Sequence, residues 1–326
     1  MSAWGEGGPT VDGRRTADVP GAEAETPRQI PRAGWWQVTR RAWKEAKSDQ
    51  VPLLAAGVAF FGFLSLFPAI VAAVLAYGLV ADPTQIRSQA EELAAAMPAS
   101  GRDLLLQQID ALTAAPSRSL GIGVAIAVAT ALWSASGGVG YLLTAVNLAY
   151  DEEETRGFVR RKLLALGMTL GAIVFVLLAI ALFAAGAAIG ENLPGPVRIG
   201  LQVARFVLAV VLITVALAVI YRIGPSRDAP RLRWVSVGAT VATLIWLLAS
   251  VGFSVYVETF GNYAKTYGSL AAVVILMLWL WLTAYAILFG AEINAESEQQ
   301  TARDTTKGEP RPLGQRNAVK ADSVPE

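Results

Sequence analysis

The sequence predicts an all-α integral membrane protein of six transmembrane helices with both termini in the cytoplasm, and three observations carry that prediction. The chain is 54% hydrophobic and only 16% charged, where an ordinary soluble domain carries about 25% charged residues. Six stretches are apolar over the roughly 20 residues that a helix needs to cross a hydrocarbon core of about 30 Å. Lys and Arg also alternate between loops, with four each in residues 150–162 and 222–233 against one each in 190–200 and 258–267. Such excess cations mark the cytoplasmic side.

The elements follow in chain order. Residues 1–34 lack apolar periodicity and are expected to be a disordered cytoplasmic arm. Because the first apolar run begins after about 50 polar residues, no cleavable signal is expected, and the first span serves as an uncleaved insertion signal. Within "GWWQVTRRAWKEAKSD", Trp35, Trp36 and Trp43 are interleaved with Arg40, Arg41, Lys44 and Lys47. That mixture suits a juxtamembrane amphipathic helix with rings in the headgroup layer and cations toward anionic lipid.

The membrane domain covers 35–296, with spans at about 53–80, 120–148, 163–189, 201–221, 234–257 and 268–290. Between the first two, Ile86, Ala90, Leu93 and Met97 recur at helical spacing, followed by Leu105, Ile109 and Leu112. Pro98 and Gly101 divide them, so an external helical hairpin is expected at about 84–115. Residues 297–326 are expected to be a disordered cytoplasmic tail.

Zero cysteines and zero histidines exclude disulfides, thiolate and imidazole catalysis, and the commonest metal ligands. No cofactor and no catalytic residue is read from the chain. A net charge of +1 argues against a nucleic-acid partner, which calls for a strongly basic patch.

Candidate site residues are therefore polar groups in or near the spans. Ser65 stands beside Pro68, which removes a backbone hydrogen bond mid-membrane and frees a carbonyl. Ser134, Ser136, Gly137, Gly138 and Gly140 make a small-residue surface where another backbone can approach, or a pathway wall. Gly167 with Gly171 and Gly186 with Gly190 are GxxxG pairs that mark intramolecular packing or a homo-oligomer face.

Arg205, inside the outer end of the fourth span, either snorkels to headgroups or pairs with Glu191, Glu258 or an anionic substrate. Glu258, Asn262, Tyr263 and Tyr267 make a dense outer loop, suited to interface anchoring or gating. Asn147, Glu292 and Asn294 lie at cytoplasmic span ends. A carboxylate at a helix C-terminus opposes the macrodipole, so Glu292 is expected to need a compensating partner.

"DEEETR" raises metal chemistry, but four consecutive acids fan around a helix axis rather than converge. The spacing instead predicts the start of a cytoplasmic connecting helix. Asp151 and Glu154 then form a capping box, and Glu152 stands four before Arg156. This elbow is placed to lock against "YRIGPSRDAPRLR" on the same face.

Four blocks together resemble the YihY/virulence factor BrkB family of bacterial inner-membrane proteins, some members of which were long labelled ribonuclease BN. They are "AAGVAFFGFLSLFP", "WSASGGVGYLLTAVNLAYDEEETRGFVRRK", "RWVSVGATVATLIWLLASVGFSVYVETFGNYAKTYGSLAA" and "LWLWLTAYAILFGAEINAE". Phe60 and Phe61 stand where tyrosine is common in that family. The resemblance covers about 35–296 and implies a six-helix inner-membrane fold with both termini inside.

Three functions are carried forward. The first is a transporter, exporter or flippase for an anionic lipid, amphiphile or small solute linked to envelope integrity. Three spans per half suit inverted halves, and with no Walker motif the chain does not itself hydrolyse ATP. The second is a non-catalytic membrane scaffold. The third is the ribonuclease of the old family label, for which carboxylate-bound metals would have to position water and for which the acids lack the geometry.

Overall fold

The computed structural model describes residues 10–11, 14–15, 19–78, 120–190, 194–259 and 269–325. A short helix α1, Arg32–Ser48, precedes six long ones: α2 Val51–Gly78, α3 Leu120–Ala149, α4 Phe158–Gly190, α5 Gly195–Ile223, α6 Leu232–Thr259 and α7 Ser269–Gln299. All six of α2–α7 are long and apolar enough to cross a membrane. Lipid offers no partner for a bare N–H or C=O, and a helix pairs both within itself. The expected external hairpin falls outside the described residues.

The six helices form a ring in chain order. Each packs on its sequence neighbour, α2 closes on α7, and α3 also reaches α7 across the ring. Large apolar side chains such as Phe60, Leu178, Phe206 and Leu248 point outward, as lipid-facing side chains do.

Two crossings rest on glycine. At the α2–α3 contact, a Cβ on Gly138 would stand 2.9 Å from Ser65 Oγ and 3.2 Å from the Gly62 Cα. At the α6–α7 contact, a Cβ on Gly238 would stand 2.0 Å from the Gly290 carbonyl oxygen. Such close approach is how membrane helices gain packing where lipid removes the hydrophobic drive between them.

The densest core lies at the end that carries both termini. There Ala46, Val51, Val146, Tyr221, Ala239 and Leu288 are buried together. Against α7 packs α1, whose buried stripe is Val38, Ala42 and Ala46, with Gly34 set against Pro20 and Ile30 and Trp36 72% exposed. Gln50, at φ +53°, turns the chain sharply from α1 into α2.

The described parts of the two arms expected to be disordered pack on the bundle. Residues 19–31 lie against the bundle, with Ala22, Ala24 and Ile30 buried and Ile30 packed with Trp234. The C-terminal segment after α7 folds over the same face, its Arg231 N–H···Thr305 O (2.9 Å) and Lys307 N–H···Ala229 O (2.9 Å) bonds running to the α5–α6 loop. Composition predicts disorder where apolar burial is too small to offset chain entropy. Here backbone hydrogen bonds and buried ion pairs supply what the apolar side chains do not. Likewise α7 runs nine residues past the expected membrane boundary, because its polar end is covered by this segment.

Replacing Gly238 by Val is expected to cost about 3 kcal/mol or more, since its side chain meets rigid backbone. Gly252, with open space around it, serves as control. Equilibrium unfolding in detergent should show Gly238→Val strongly destabilised and Gly252→Val near wild type.

Candidate functional site

A cavity of about 370 Å³ opens among α2, α3, α4 and α7. Its wall is almost wholly aliphatic, and its three polar side chains are already engaged within the protein. Ser65 Oγ accepts the Gly138 N–H at 2.8 Å, Thr169 Oγ1 donates to Ala165 O at 2.7 Å, and Thr283 Oγ1 accepts Trp246 Nε1–H at 3.1 Å. The space therefore presents hydrocarbon, which suits an apolar guest better than a polar one.

Few of the sequence-predicted residues meet here. Ser65 lines the cavity, and Pro68 lies in the same helix within an unbroken α2. Ser134 is exposed on α3, while Ala135 and Gly138 of that helix line the cavity. Arg205 is half-buried on α5 and Glu258 is exposed near the end of α6. Asn262, Tyr263 and Tyr267 fall outside the described residues. Thr169 and Thr283 were not singled out, because a lone threonine in an apolar helix carries no sequence signal for lining a cavity.

A second constellation occupies the end that carries the termini. The last turns of α7 bury Glu292, Asn294, Glu296 and Glu298. Asn294 is a clamp at the glycine crossing, accepting the Gly238 N–H at 2.7 Å and donating to Val235 O at 3.3 Å. Glu298 holds Arg227 through two 2.7 Å bonds, with side chains only 0% and 1% exposed. Glu296 takes Arg41 Nε at 2.5 Å and Lys320 Nζ at 2.7 Å, and Lys320 also reaches Asp151 at 2.9 Å. Burial pushes the Lys320 ammonium down, but Glu296 and Asp151 raise it above its ordinary value, so it stays charged.

Arg41, Arg227, Arg316 and Lys320 were missed as site residues. One signal was present: Glu292 with Glu296 and Asn294 with Glu298 stand at i, i+4 spacing and make two polar stripes on the end of α7.

The acidic elbow is not the start of a connecting helix. Asp151 sits at φ +54°, the Glu152 N–H donates to Asn147 O and the Asp151 N–H to Leu148 O, which is the Schellman ending of α3. Residues 151–157 then run without helix to α4. The capping-box reading of Asp151 and Glu154 is thus replaced by a C-cap, because a polar residue in the left-handed conformation ends a helix rather than starting one.

Nor do Glu152 and Arg156 pair. Glu154 takes Arg156 bidentately at 2.6 and 2.8 Å, while Glu152 accepts the Val319 N–H at 2.8 Å. The elbow does touch the α5–α6 loop. Arg156 donates to Gly224 O at 2.8 Å, and Asn147 Oδ1 accepts the Ser226 N–H at 2.7 Å. Asp151, Glu152 and Glu154 therefore diverge to different partners, Lys320, the Val319 N–H and Arg156. Burial raises the Glu152 carboxyl; it would raise Glu154 too, but Arg156 pulls that carboxyl down to about 2.

A family model described as virulence factor BrkB matches residues 42–313. A Bacillus subtilis protein named putative ribonuclease-like protein YfkH is 32% identical over 74% of this chain and 88% of its own length. A UPF0761 membrane protein of Aeromonas salmonicida is 27% identical over 78% of this chain and 86% of its own. No solved structure matches. The chain belongs to the BrkB family of membrane proteins.

Glu298→Gln leaves the buried Arg227 charge uncompensated and should cost about 3–5 kcal/mol, whereas Arg227→Met with Glu298→Gln should recover most of that loss. Unfolding in detergent measures both. Glu154 has a lowered folded value, so its contribution is complete above the ordinary 4.5 and is lost as pH falls toward about 2. The melting-temperature gap between wild type and Glu154→Gln should be constant above pH 4.5 and close below it.

Proposed function

We propose that this BrkB-family protein moves amphiphiles across or out of the bacterial inner membrane, with both termini in the cytoplasm. The observation that carries the reading is the hydrocarbon-walled cavity among α2, α3, α4 and α7, whose polar side chains are all engaged. A small polar solute would find no unengaged partner there, while an acyl chain needs none. Of the substrate classes open to the sequence, an amphiphile fits and a small solute does not.

The headgroup preference follows from the head of the α3–α4 seam. Arg161 donates to Thr144 Oγ1 at 2.7 Å, and Lys162 Nζ reaches Trp133 O at 2.9 Å, so both cations face α3. Thr169, seven residues after Lys162 and so on the same helix face, lines the cavity. An anionic head at Arg161 and Lys162 would leave its chain directed along the seam into the cavity. The ribonuclease wording in a relative's name finds no support in the elbow, where Asp151, Glu152 and Glu154 each have a separate structural partner.

Purified protein in liposomes carrying fluorescent lipids tests this by quencher accessibility. Wild type should move anionic lipid faster than protein-free vesicles do. Ala172→Phe, which fills the cavity, should abolish most of that rate at unchanged melting temperature. Lys162→Gln should slow anionic lipid more than zwitterionic lipid. Movement no faster than in empty vesicles for anionic, zwitterionic and single-chain lipids alike would refute the reading.

A further inference from the structure

The end of the bundle that carries the termini holds a group of charges that the cavity does not use. Asp49 between α1 and α2, Asp151 after α3, and Glu292 and Glu296 on α7 converge on one place, where Lys320 of the C-terminal segment enters. Glu45 of α1 adds a further acid beside Asp49, and Arg41 of α1 holds Glu296. Four carboxyl groups thus surround two cations, Arg41 and Lys320.

A separate observation points to a ligand. Glu292 is 1% exposed, and its Oε1 has no hydrogen-bond partner among the described residues. The charges it faces are Asp49, Asp151, Glu296 and Lys320. Among the described residues no three acids are drawn together closely enough to hold a metal ion. The arrangement suits a singly charged N–H donor, the chemistry Lys320 supplies.

We infer that Asp49, Asp151, Glu292 and Glu296 form a socket for a primary ammonium group, held in this state by Lys320 and open to a free ammonium when the C-terminal segment lifts. Two considerations make the occupant displaceable. The buried apolar side chains of the segment are small, chiefly Ala318, Ala321 and Val324, so little hydrophobic area holds it down. Its remaining hold is polar: Thr305, Lys307 and Arg311 keep the earlier part of the segment tied to Glu298, Arg231, Ala229 and Asp228. The part that lifts is therefore residues 317–325, whose outward contacts are the Lys320 pairs, the Val319 N–H to Glu152, the Asp228 N–H to Asn317 O and Gln299 to Ser323. Lifting the segment removes a cation from buried carboxylates, a state too costly to persist unfilled. Release of the segment and uptake of an ammonium are therefore linked.

The chain has no cysteine, so one introduced at Ala318, which is buried on the segment, reports lifting through its rate of maleimide labelling. The probe is n-propylammonium; propanol and NaCl at matched ionic strength are controls, and Ala239→Cys in the bundle core reports global unfolding. Propylammonium is expected to raise Ala318→Cys labelling saturably by about tenfold, within the usual range of coupling between sites, and to leave Ala239→Cys unchanged. Adding Lys320→Ala should give fast labelling without amine and no further rise with it, since nothing is left to displace.

Nanodiscs with and without phosphatidylethanolamine separate the sources. A rise with that lipid alone assigns a headgroup amine, and a rise only with the soluble probe assigns a free one. Labelling that ignores propylammonium, or that NaCl raises equally, overturns the socket.

Discussion

Burying carboxylates at the negative end of a helix is doubly unfavourable, since desolvation and the helix dipole act in the same direction. The last turns of α7 do this with Glu292, Glu296 and Glu298, and the arrangement of the surrounding face answers that cost. Arg227 comes from the α5–α6 loop, Arg41 from α1 and Lys320 from the C-terminal segment. Three separate stretches of chain are thus drawn to one helix end by charge. Each brings its neighbours: Arg227 fixes the loop that Arg156 and Asn147 then grip, and α1 brings Trp43 edge-on to Phe289.

What was legible in the sequence divides along the same line. The six spans were visible because lipid allows few alternatives, and a long apolar run has little choice but to be a helix there. The glycine crossings were half visible. The surface around Gly138 was evident as small residues, but which partner met it was not, and Gly238 against Gly290 had no local mark. The fold of the C-terminal segment was invisible for a physical reason. Arg316 and Lys320 look solvated in any window of sequence, and only the carbonyls and carboxylates supplied from elsewhere make their burial tolerable.

The elbow shows how a correct contact can come from an incorrect element. Asp151 and Glu154 have capping-box spacing, yet a residue that can adopt positive φ directly after an apolar helix is equally a C-cap signal. Tertiary context decided between them: Asn147 spends its carbonyl on the Schellman bond to Glu152 and its side chain on Glu154 and Ser226. The elbow still meets the α5–α6 loop, because that contact depends on charge and position and not on helix.

These contacts limit how the bundle can open. The end that carries the termini is cross-tied through α1, the elbow, the α5–α6 loop and the C-terminal segment, so the six helices cannot separate there without exposing the buried Arg227–Glu298 pair. The cavity is walled by α4 on one side, and α4 meets α5 through the thinnest contact in the ring. At its start α4 is tied to α5 by Arg156 reaching Ile223 and Gly224, with Gly157 in open space between. If the cavity exchanges an amphiphile with lipid, α4 is the helix that can swing at least cost. The pivot is then the elbow, where backbone freedom at Gly157 adjoins a bidentate ion pair that keeps the hinge in place.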